Sequence, residues 1–135
     1  MNRHEIRRDK DIAKISRRLI REKADLSEIK NSNVKIGYLT SQEEKKTGHG
    51  IKTVFADCRL VPDNMQWICH YHFLITVYLP NISEFTDEQL EILLWHELKH
   101  IGIDCDSDEE KYFLVPHDIE EFHEIIEKFG LNWSD

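Results

Sequence analysis

No apolar run approaches the eighteen or so residues of a membrane span, so no segment reads as crossing a bilayer. Cysteine is sparse: Cys58, Cys69 and Cys105 form no C-x-x-C pair, and their odd number argues against a disulfide framework. The N-terminal stretch Met1-Asn2-Arg3-His4-Glu5 leads into charged sequence with no apolar core of a secretory signal. Together these absences place the chain in a reducing cytoplasm with free thiols. The three prolines, Pro62, Pro80 and Pro116, each punctuate the chain between candidate elements. No internal repeat and no low-complexity linker divides the 135 residues, which suit one domain with a real core.

Charge is plentiful but uneven. The net charge is −8. Residues 1–30 carry ten Lys/Arg against six Asp/Glu, whereas the rest carries eight against twenty. A basic leader therefore precedes an acidic body, and that body argues against a broad nucleic-acid surface. Residues 5–30 read as a helix with Ile12, Ile15 and Leu19 at helical spacing. We treat 1–30 as a basic helix packed on or extending from a domain at 31–135. A solvated helix face explains its charge better than a nucleic-acid or acidic-partner arm.

Strands are expected at Val34 to Leu39, Ile51 to Leu60, Trp67 to Leu79 and Lys111 to Val115. The segment 67–79 is the strongest, with Phe73, Ile75, Val77 and Leu79 alternating onto one face. Residues 41–50, with Gly48 and Gly50 flanking His49, read as a loop or hairpin tip. Alternation puts Cys69 on the opposite face from His70 and His72, so these three do not read as a metal site. The acidic run Asp104 to Glu110 lacks the glycine and the bidentate glutamate of a calcium loop and reads as solvated. Asp118 to Phe129 reads as a last helix, with Ile119, Phe122, Ile125, Ile126 and Phe129 inward and Gly130 as its stop. The fold class is α+β: an N-terminal helix, a three- to four-stranded sheet, a central motif helix and a C-terminal helix.

The motif is His96-Glu97-Leu98-Lys99-His100, spelling H-E-x-x-H. On a helix, residues four apart lie on one face, so two imidazoles can ligate one Zn²⁺ while Glu97 reaches a water at the metal. The context is helical on independent signals. Thr86 is an N-cap with Gln89 three residues on as its capping-box partner, and Phe85 and Leu90 fit a hydrophobic staple. Asp87 and Glu88 suit the positive end of the helix dipole. Leu90, Leu94, Leu98 and Ile101 form an apolar stripe, and Gly102 is a plausible stop, giving a helix from 87 to about 101.

A catalytic zinc needs a third protein ligand. His117, seventeen residues past His100, leads on ligand chemistry. Asp106 has the six-residue spacing of metzincins, but Ile103 stands where that pattern needs glycine. Glu120 or Glu121 is the remaining option. Asp118 can accept the free N–H of a ligating histidine. Tyr112, His123 and backbone N–H groups are candidate oxyanion donors. The sheet edge that receives an extended peptide is expected at the strand ending near Leu79.

The segments Phe73-Leu74-Ile75-Thr76-Val77, Leu93 to Gly102 with its cap at Thr86, His117-Asp118-Ile119-Glu120-Glu121-Phe122 and Phe129-Gly130-Leu131-Asn132-Trp133 resemble the putative phage metallopeptidase family. The resemblance runs over roughly residues 30 to 133 and leaves the N-terminal helix outside. It implies a small zincin-like fold, encoded by a phage or prophage and acting on a peptide or protein. It also implies metal ligation by His96 and His100, catalysis by Glu97 and support for His117. The rival class is a non-catalytic, zinc-stabilised protein- or nucleic-acid-binding module whose working part is the N-terminal helix.

Overall fold

The computed structural model describes residues 3–47, 52–105 and 109–116, with the backbone alone for 3–10 and 47. Helix α1 spans Arg3–Glu22. A 3₁₀ turn at Ala24–Leu26 and a single-turn α2 at Ser27–Lys30 follow it. Strand β1 is Ile36–Ser41, and the short β2, Lys46–Thr47, pairs antiparallel with β3, Lys52–Thr53. Then come β4 at Ala56–Leu60, α3 at Asp63–Cys69 and β5 at Phe73–Tyr78. A 3₁₀ turn at Leu79–Ile82 leads to α4 at Asp87–Leu98, and the hairpin strands β6, Ile101–Asp104, and β7, Lys111–Leu114, complete the described chain. The class is α+β, as expected. The C-terminal helix expected at 118–129 lies outside the described residues.

The main sheet has the order β1-β5-β4, with β1 parallel and β4 antiparallel to β5. β5 is thus the central strand, and the edge expected at its Leu79 end belongs instead to β4 on one side and β1 on the other. Phe73, Ile75 and Val77 of β5 are fully buried, as their alternation predicts. They meet Ile12 and Leu19 of α1 and Leu90, Leu94 and Leu98 of α4, which are equally buried. Both long helices therefore cover one face of the sheet and place the C-terminal end of α4 near the start of β5.

β1 starts and ends two residues later than expected, the strand expected at 51–60 is split into β3 and β4, and β6 was not expected. Three further differences have a visible cause. The first helix ends at Glu22 because position 23, next on the buried stripe after Leu19, is a lysine. The chain turns there, sets the Lys23 ammonium over the Trp95 ring at 4.4 Å, and still buries Leu26 and Ile29. Residues 67–69 of the expected strand 67–79 are instead the end of helix α3, which begins right after Pro62. α3 buries none of its residues and leaves Trp67 73% exposed, so its apolar residues carry no core periodicity. His70, with φ of 65°, ends it in the left-handed region and redirects the chain into β5. Finally, α4 stops at Leu98 with Lys99 as its cap, short of Gly102. Gly102 lies in β6, where an added Cβ would run into the Phe113 ring. Its role is close approach within the hairpin.

Candidate metal centre

α4 begins as its sequence dictates. Thr86 accepts the N–H of Gln89 at 3.1 Å, and the Gln89 side chain accepts the N–H of Thr86 at 2.8 Å. The rotation of the helix is held from both ends of its exposed face. Arg18 of α1 pairs with Glu91 at 2.9 Å. Near the other end, the Trp95 indole N–H donates to Asp25 at 3.1 Å. Trp95 directly precedes the first motif histidine, so this clamp helps fix where His96 points.

The last helical turn tightens. The N–H of His100 reaches the carbonyl of Glu97 at 3.1 Å, a 3₁₀-type bond. His100 consequently lies just past α4 proper, yet it still comes back over His96. The two Nε2 atoms are 3.3 Å apart and the rings meet edge to face at 89°. Two nitrogens about 2.05 Å from a tetrahedral zinc would stand about 3.3 Å apart, so the spacing fits that ion. The Nδ1 of His100 lies 2.6 Å from the carbonyl of Val115. A carbonyl only accepts, so Nδ1 carries the proton and Nε2 keeps its lone pair toward His96. The backbone N–H of Val115 in turn donates to the His100 carbonyl at 2.8 Å. The β6–β7 hairpin thus sets the tautomer of one candidate ligand.

His96, Glu97 and His100 form one group whose ligand atoms lie within 4.8 Å of one another. Glu97 is 4% exposed. Burial, with the Asp57 charge second, pushes its carboxyl up to about 8. A bound cation would offset both causes and favour the ionised form. Cys58, on the inward side of β4, is also pushed up to about 12, by burial first and then by Glu97 and Asp57. Such a thiol stays protonated and behaves as packing.

Asp57 is the group that sequence reasoning missed. It sits on edge strand β4 opposite Thr76 and accepts the Tyr78 hydroxyl at 2.6 Å and the Lys45 ammonium at 3.1 Å. Asn81 fastens the same region by donating to the carbonyls of Lys45 and Val54 at 3.0 and 2.7 Å. Nothing local marks Asp57. Only the pairing of β4 with β5 brings it near α4.

Of the other expected participants, Tyr112 has its hydroxyl proton on Glu110 at 2.7 Å and its ring stacked on His72 at 4.2 Å. That contradicts an oxyanion role for the same proton. Glu110 also accepts the N–H of Asn33 at 3.0 Å, so this end of the acidic run is a structural tie, and Asp104 at its start lies in β6. His72 accepts the N–H of Lys35 at 2.9 Å and serves the sheet. Asp106, His117, Asp118, Glu120, Glu121 and His123 lie outside the described residues. No helix among the described residues is long and apolar enough to cross a membrane.

One protein-family model, described as "Putative phage metallopeptidase", matches residues 4–135. The match includes α1, which the motif resemblance left outside. No curated protein and no solved structure matches the chain.

Proposed function

The chain belongs to the putative phage metallopeptidase family, and from that premise we propose that it is a zinc peptidase in which His96, His100 and His117 hold the ion and Glu97 is the general base. The observation that carries this reading is the pair of Nε2 atoms 3.3 Å apart beside a buried carboxylate. Zinc held there would supply Lewis-acid polarisation of the scissile carbonyl and of the attacking water. Glu97 takes the proton from that water and returns it to the departing amine. The Val115 carbonyl keeps the proton of His100 on Nδ1, so that Nε2 stays available. His117 follows Val115 by two residues, about 7 Å of chain, which supports it over Glu120 and Glu121 as third ligand. The edge of β4, which pairs on one side only among the described residues, is where an extended substrate adds as a further strand.

The test is Glu97→Gln. The variant keeps its zinc, measured by atomic absorption after dialysis, and loses about 10²- to 10⁴-fold in peptide hydrolysis. Unchanged hydrolysis by the variant would remove the proposal.

A further inference from the structure

Away from the motif histidines the described residues form an open concavity of about 480 Å³. Arg17, Arg21 and Lys30 stand on its helical walls, and Ile20, Val34 and Ile36 give it an apolar lining. The placement follows from the chain. Arg17, Ile20 and Arg21 share one flank of α1, next to the buried stripe of Ile12, Ser16 and Leu19. Ile36 comes from β1, an edge strand. No carboxylate among the described residues lines the concavity, although residues 31–135 carry twenty Asp/Glu against eight Lys/Arg.

The third wall carries a second signal. β1 pairs on one side only among the described residues. Phe73 donates its N–H to the carbonyl of Lys35, and a parallel ladder uses alternate residues of a strand. The peptide groups of Ile36 and Tyr38 therefore face away from β5, toward the open edge. A free ladder beside an aliphatic lining suits an extended polypeptide. The cations select its sign.

We infer that this concavity docks an acidic, aliphatic segment of a partner protein, laid along β1 with its carboxylates toward Arg17, Arg21 and Lys30. The acidic body repels such a segment elsewhere and steers it here. A nucleic acid fits poorly, because the described lining is mainly aliphatic and offers Tyr38 as its one aromatic ring. A second copy pairing through the same edge would set cations against cations. On the peptidase reading the docked chain is a part of the substrate remote from the bond cleaved at the β4 edge, and that identification alone rests on it.

The experiment uses the full chain carrying Glu97→Gln, so that nothing is hydrolysed during the titration. Methyl NMR follows Ile20, Ile29, Val34 and Ile36 as acetyl-Glu-Leu-Glu-Val-Glu-Leu-Glu-amide is added, then its lysine counterpart. The acidic peptide shifts these methyls and the lysine peptide does not. Arg17→Glu with Arg21→Glu weakens binding at least about tenfold, and Lys30→Glu, made separately, weakens it in the same direction. Silent methyls in the folded protein, equal binding of the lysine peptide, or a short oligothymidine occupying the site in place of the acidic peptide overturns the inference. Binding here without hydrolysis by the parent protein would remove the peptidase reading and leave this one standing. Hydrolysis with silent methyls would do the reverse.

Discussion

Removing the metal should make the protein lose stability as pH rises through neutrality, and Glu97 should be the cause. Its carboxyl is 4% exposed, and burial with the Asp57 charge raises it from 4.5 to about 8 in the folded chain. Between those values the folded state binds a proton that the unfolded state has released. Stability is therefore greatest below pH 4.5 for this group and falls as pH climbs toward 8. Integrating that difference from pH 5 to pH 7.5 gives a loss of about 3 kcal/mol from this one side chain. Gln fills the same space and does not titrate. Urea denaturation in EDTA at the two pH values, on parent and Glu97→Gln, isolates the contribution, because every other titrating group is common to both. The parent should lose about 3 kcal/mol more than the variant over this interval. Asp57→Asn should reduce the excess loss, since one of its two causes is gone. Saturating zinc should reduce it further by favouring the carboxylate. Parallel pH profiles for parent and Glu97→Gln would refute the reasoning, because they would mean that Glu97 is solvated.

Other substitutions test separate links. His96→Ala and His100→Ala should each abolish zinc retention and the rise in melting temperature that zinc gives the parent, as read by calorimetry with and without the ion. His117→Ala should lose zinc while Asp106→Ala keeps it, and the opposite pattern by metal analysis would move the third ligand. Thr86→Ala breaks the capping box and should cost about 1 kcal/mol in urea denaturation. Leu94→Ala, at a fully buried position between α4 and the sheet, should cost about 2–5 kcal/mol by the same measurement.

The helix that carries the motif could be read from the chain because its signals are local: a cap, a staple, charges matched to the dipole and a stripe of leucines. The inward face of β5 was legible for the same reason, since alternation is written in five consecutive residues. α3 was not. Trp67, Ile68 and Cys69 are aromatic, β-branched or small and apolar, yet they lie on a helix that packs against nothing in the core, so periodicity had no face to report. The break after Glu22 depends on Trp95, seventy-two positions on, receiving Lys23. At the candidate centre, the histidine pair and Glu97 were legible because one turn of helix brings them together. The carbonyl that orients His100 is a backbone group of Val115, and the charge that perturbs Glu97 sits on another strand. Neither has a sequence signature, because both arise from pairing between segments distant along the chain.

The central claim is that a zinc ion is gripped between the two motif imidazoles. Anomalous diffraction collected above and below the zinc edge, on crystals of the zinc-loaded chain, tests it most directly. One strong peak is expected about 2.05 Å from Nε2 of both His96 and His100. A difference map with no peak between those nitrogens, or with zinc bound only elsewhere on the chain, would contradict it.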